Sequence, residues 1–114
     1  VHPAVYRAIA AGLRGFELLG DTPLVVVDIP LLYETGRAGD FRKVIATCCS
    51  RETQLKRLAL RGLSTEAAEQ RLAAQLPADE KARRADYVID TDGTFDATER
   101  QLADVVGALL ALTR

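Results

Sequence analysis

The chain has no tryptophan, no methionine and a single histidine, and only 5% of its 114 residues are aromatic. Any core must therefore be built from Leu, Val, Ile and Ala, and a hydrophobic content of 48% supplies them. Long apolar runs are also missing: Leu24–Val27 is broken by Asp28, and the stretch 105–112 covers eight residues. A helix needs roughly 20 apolar residues to cross a bilayer, so no such helix and no membrane partner are expected. Charge of one sign is not in excess. Fifteen basic and 16 acidic residues give a net charge of −1, without the basic surplus of a nucleic-acid binder. Cysteine appears twice, as the neighbours Cys48 and Cys49. Adjacent cysteines staple nothing, and His2 lies too far off in sequence for zinc-ligand spacing. Reduced thiols of a cytoplasmic protein are the expectation, with a redox role as the alternative. The length suits one small domain.

What is present reads as alternating helices and strands. Pro3 suits a first helical turn. Val5, Ile9, Leu13, Phe16 and Leu19 then recur at spacings of three and four, which predicts an amphipathic helix. Gly20-Asp21-Thr22-Pro23 ends it. Leu24–Ile29 is nearly all apolar and Val-rich, predicting a strand buried on both faces, and Leu31–Gly36 predicts a single helical turn. Val44–Cys49 predicts a second strand. Ser50 then caps a helix to about Arg61, with Glu52 in its first turn. Ser64 or Thr65 opens a helix to about Leu76, closed by Pro77. A charged helical stretch follows over 79–84. Tyr87–Ile89 predicts the third strand, and Asp90–Gly93 a turn. Asp96, with Glu99 three residues on, predicts the cap of a last helix whose buried face is Leu102, Val105, Val106, Leu109 and Leu112. Strands alternating with helices predict parallel βαβ units with right-handed crossovers. Three strands make a thin sheet. The chain also opens on Val1-His2-Pro3 and directly on a helix. Both features give the expectation that it starts inside a domain, by truncation or gene fragmentation.

Five segments in order resemble the dephospho-coenzyme A kinase family. His2-Pro3 is similar to the histidine-proline pair opening a substrate-region helix. Asp28-Ile29-Pro30-Leu31-Leu32-Tyr33-Glu34 resembles the D-x-P-L-L-[FY]-E signature. Glu52–Leu58 with Arg61 resembles the E-x-Q-x-x-R helix. Gln70–Gln75 with Glu80-Lys81 resembles the mobile lid. Ala85–Asp90 with Gly93 resembles the A-D-x-V-I-D-N-x-G strand and turn. Thr91 departs from the family's usual asparagine, which puts side-chain contacts of that turn in doubt and leaves its backbone contacts. Each piece alone is weak; five in order and at compatible spacings are strong.

The resemblance implies an α/β fold. It is a partial P-loop-kinase-like parallel sheet flanked by helices, with a helical lid at roughly 61–84, and 1–114 forms the C-terminal part of a single domain. It implies transfer of a phosphoryl group from ATP, with Mg²⁺, to the ribose 3′-hydroxyl of dephospho-coenzyme A. That chemistry is mostly positioning and charge neutralisation. It needs a loop ending in Gly-Lys-Ser/Thr, yet Lys43, Lys56 and Lys81 follow Arg42, Leu55 and Glu80. The base and the phosphate loop are thus expected outside this chain, and no catalytic residue is assigned within it. His2, Asp28, Pro30, Leu31 and Glu34 are expected at the substrate side. Arg61, Arg71, Gln75, Asp90 and Thr91 are expected at the ATP and lid side. Asp28 would either hold a magnesium-bound water or cap the turn after it. Arg61 and Arg71 would close over phosphates or remain solvated. Glu34 would hold a substrate-side arginine or the polar groups of the pantetheine arm, or lie on the surface. Arg57 is expected to face solvent or pair with a nearby acid.

Three other readings stay open: a non-catalytic remnant serving as an interaction module, one half of a split kinase completed by another chain, and a different nucleotide kinase of the same clan. The Asp28–Glu34 segment speaks against the last. A three-stranded sheet without its central neighbour would expose an apolar edge, so a poorly soluble or dimeric chain is expected.

Overall fold

The computed structural model describes residues 3–20, 23–29 and 31–112. His2 and Pro30 lie outside the described residues. Helix α1 spans Pro3–Leu19. It ends where Gly20 takes φ +70° and its N–H returns to the Phe16 carbonyl at 3.2 Å, a left-handed stop that a side chain would strain. Residues 31–36 form the expected helical turn. The Thr35 N–H and hydroxyl both donate to the Leu31 carbonyl, at 3.1 and 2.8 Å. A short 3₁₀ turn, Ala38–Asp40, follows.

Two strands form the sheet: β1, Ile45–Cys48, and β2, Tyr87–Asp90. They run parallel, with Ile45 opposite Tyr87 and Cys48 opposite Asp90. The strand predicted over Leu24–Ile29 does not form. Among the described residues the segment takes no regular structure and its backbone joins no ladder. A Val-rich run favours extension; a strand further requires a neighbouring edge to hydrogen-bond. Leu24 alone reaches the core from this segment.

Between β1 and β2 the chain makes three helices: α2, Arg51–Leu60; α3, Thr65–Ala73; and α4, Ala78–Arg84. Ser50 and Ser64 cap the first two, accepting from Thr53 and Ala67 N–H groups. The second helix stops three residues before the expected Leu76. Pro77 disfavours helical geometry at the residue before it, and the Leu76 N–H is taken by Glu34 instead. The last helix, α5, covers Phe95–Ala111, and its cap is Thr94, not Asp96. Thr94 Oγ1 accepts from the Ala97 N–H at 3.1 Å. Asp96 therefore sits within the first turn, where its charge suits the dipole.

The core is small. Ile89, Val105 and Leu109 form its centre, with Leu24, Ile45 and Tyr87 packed against it. The predicted stripe of α5 is divided: Val105 and Leu109 are buried, whereas Leu102 and Leu112 are nearly half exposed. The chain exposes 8188 Å², against roughly 6100 Å² for a compact monomer of this mass. Its radius of gyration is 16.0 Å, against about 13 Å for a compact domain of this length.

Candidate functional site

One open concavity of about 1920 Å³ organises the molecule. Its lining takes in the segment after α1, the 31–36 turn, β1, the ends of α2 and α3, and Leu102, Leu109 and Leu112 of α5. Asp28, Glu34, Arg61, Arg71, Gln75 and Thr91 all border it. Residues from five separate sequence segments thus converge on one cleft. Leu31 lies in the adjoining turn and uses its carbonyl to hold Thr35. Asp90 lies behind the cleft at the end of β2.

The wall containing Asp28–Glu34 differs along its length. Asp28 is exposed, and among the described residues its carboxylate makes no hydrogen bond, so it caps no described turn. Glu34 is fully engaged. Its Oε2 accepts from the Lys81 ammonium and the Leu76 N–H, both at 3.0 Å. Burial alone would raise its pKa, but these bonds outweigh it and hold the carboxyl below its ordinary value. Tyr33 is pushed up, first by burial and then by Asp86. Its buried hydroxyl has no partner among the described residues.

The turn after β2 is clamped from three sides. Arg57 donates to Thr91 Oγ1 at 3.0 Å and to the Thr91 carbonyl at 2.6 Å. Asp92 accepts from the Ser50 N–H at 2.7 Å and the Ser50 hydroxyl at 3.2 Å. A hydrogen bond from Thr53 and these Ser50 contacts lower the Asp92 pKa against the opposing effect of burial. Gln101 of α5 grips Asp90 like a strand backbone. Its Oε1 accepts from the Asp90 N–H and its Nε2 donates to the Asp90 carbonyl, both at 2.8 Å. Cys48 lies beneath this turn, its thiol pKa raised by burial and then by Asp90.

Arg57, Gln101 and Lys81 were not singled out as site residues by sequence. Arg57 is exposed, as expected, and from the surface it also holds the Thr91 turn. A signal existed. Arg57 follows the cap Ser50 by seven residues, and Gln101 follows the cap Thr94 by seven. Seven residues make two helical turns, so each side chain returns to the face of its own cap. Arg61 and Arg71 are different. Both are exposed, and among the described residues neither has an ion-pair partner. Arg61 is the C-cap of α2. It is followed by Gly62 at φ +92°, whose N–H donates to Ala59 while that of Leu63 donates to Leu58. That pair of bonds is a Schellman stop, and it turns the chain sharply into α3.

The fold and cleft define an α/β protein with a parallel sheet and flanking helices. Residues 1–97 match the family model for dephospho-CoA kinase. A dephospho-CoA kinase of Symbiobacterium thermophilum is 47% identical over 103 residues, covering 90% of this chain and 43% of that protein. The Novosphingobium aromaticivorans enzyme is 44% identical over 110 residues, covering 96% of this chain and 53% of that one. The crystal structure of TT1252 from Thermus thermophilus superposes with a TM-score of 0.79 at 34% identity, over 96% of this chain and 56% of its own. The chain belongs to the dephospho-CoA kinase family, and its architecture is a partial P-loop-kinase-like fold. It spans about half the length of the curated relatives it matches.

Proposed function

We propose that the chain supplies the lid and the substrate wall of a kinase that phosphorylates the ribose 3′-hydroxyl of dephospho-CoA from ATP. The observation that carries this is the convergence of Arg61 and Arg71, both without an ion pair among the described residues, with Asp28 and the clamped Thr91 turn on one cleft, in a chain of this family. Two guanidinium groups beside such a cleft can donate to phosphate oxygens as charge develops there. Gln75, at the same rim, adds an uncharged donor. The Asp90–Thr91 turn is held rigidly and bears nucleotide contacts through its backbone. Asp28 and Leu31 shape the acceptor side, with His2 and Pro30 expected there from the sequence.

Magnesium, which the family implies, is commonly held by one or two carboxylates together with substrate phosphates. Asp28 fits that role through a bound water, being exposed, at the cleft and free of hydrogen bonds among the described residues. The ion would neutralise charge on the phosphates.

The chain has no Gly-Lys-Ser/Thr sequence, so on this reading the phosphate loop and the base come from polypeptide outside these 114 residues, an N-terminal portion or a complementary chain. The large apolar exposure of α1 and α5 favours such a completed assembly over a free-standing remnant. ADP release with ATP, magnesium and dephospho-CoA tests it. The chain alone is expected to yield none. Mixing it with the N-terminal half of a family relative is expected to restore release that depends on Arg61 and Arg71. Turnover by the pure chain would overturn the placement of the catalytic groups. Failure of every complementing half would favour a non-catalytic module.

A further inference from the structure

We propose that Glu34 is a positioning residue that fixes the rear hinge of the lid, so that the moving part ends at Leu76 and α4 belongs to the body. This rests on the reading of 61–84 as a lid. Glu34 Oε2 holds two donors that flank Pro77: the Leu76 N–H on one side and the Lys81 ammonium on the other, each at 3.0 Å. Pro77 has no N–H of its own. The Gln75 N–H returns to Leu72, and the Glu80 and Lys81 N–H groups return to Pro77. One carboxylate oxygen 42 residues away in sequence therefore takes the last backbone donor before Pro77, which α3 does not use.

The pair is also the shielded one. The Glu34 and Lys81 side chains are 17% and 18% exposed, whereas every other described ion pair has at least one partner 40% exposed or more. Removing either partner leaves a partly desolvated charge, so the contact resists opening more than a surface pair would. The bodies on either side differ accordingly. α4 packs on β1, while α3 packs on α2. The front joint is Gly62, in a left-handed conformation with open space around it. A segment bounded by Gly62 and Leu76 carries Arg71 and Gln75 at the cleft. Glu34 thereby links the wall segment Asp28–Glu34 to the reach of those two side chains, acting through the hinge and not by touching substrate.

Amide hydrogen exchange and trypsin cleavage on the 114-residue chain test this without nucleotide. Glu34→Ala is expected to speed exchange at Leu76 about tenfold or more, the loss of a bond to a charged acceptor. Cleavage after Arg71 in α3 should rise with it, while cleavage after Arg100 in α5 stays unchanged. Lys81→Met should loosen α4 and leave the Leu76 bond largely protected. The exchanged pair Glu34→Lys with Lys81→Glu should re-anchor α4 while Leu76 still exchanges fast, since an ammonium cannot accept its N–H. A uniform rise at Arg71 and Arg100, or unfolding of both single variants by circular dichroism, would overturn the proposal by making the pair a support of the whole fold. Unchanged exchange at Leu76 in Glu34→Ala would overturn it too. Neither result touches the ADP-release test, so the two readings fail separately.

Discussion

The two ends of this chain carry similar sequence patterns, and only one of them finds a partner for part of its apolar face. Helices α1 and α5 are each 17 residues long with a clear apolar stripe. In α5, Val105 and Leu109 sit against Ile89 and are 8% and 7% exposed. In α1, Phe16, Leu18 and Leu19 remain 45%, 84% and 71% exposed. The strand-like segments divide the same way. Tyr87–Asp90 pairs with β1, while Leu24–Ile29 joins no ladder among the described residues. An amphipathic pattern specifies that a face is to be buried. What buries it is decided by the surface presented opposite: at α1 no described element packs closely, and of Leu24–Ile29 only Leu24 reaches the core.

That contrast can be broken by mutation. Leu109→Ala should cost about 2–5 kcal/mol in urea unfolding, because it opens a cavity in the one packed cluster. Leu18→Ala, an equal truncation on α1, should fall within about 0.5 kcal/mol. Equal costs would mean that the two ends are packed alike. Next in size is Gln101→Leu, which strips both partners from the Asp90 backbone and should cost about 1–3 kcal/mol. Chemical-shift changes should then centre on 90–93; if they centre on α1, the clamp does not hold that turn. Thr94→Ala should cost about 1 kcal/mol as a lost cap, and Asp96→Ala should cost less; the reverse order would restore Asp96 as the cap.

The smallest expected effect is with pH. Glu34 and Asp92 both have folded pKa values below their ordinary 4.5 and 3.8. Such carboxylates stabilise the fold above those ordinary values, and the contribution disappears as pH falls through the folded values. The urea midpoint should therefore drop below pH 4.5, and Glu34→Gln should flatten part of that drop. A midpoint that rises on acidification would contradict the bonds to Lys81, Leu76 and Ser50.

Much of the local structure was legible in sequence. Ser50 and Ser64 announced their helices, Gly20 and Gly62 their ends, and Tyr87–Ile89 a strand that the structure extends by one residue to Asp90, because caps, stops and short apolar runs act over a few residues. Asp96 misled, since a capping pair read from spacing fits equally well two residues after the true cap. The family was legible from five ordered segments, four of which place residues along the same cleft. Arg57, Gln101 and Lys81 were missed because their partners lie 34, 11 and 47 positions away in sequence.

By itself the sequence determined the helices, the two strands that pair, and the family, all of which rest on short-range chemistry or on ordered motifs. Tertiary structure alone decided which apolar faces find a partner, where α3 stops, and that Glu34 is spent on Lys81 and Leu76. Each depends on groups distant in sequence meeting in space. Hydrogen bonds and burial are settled by that meeting, and no periodicity records it.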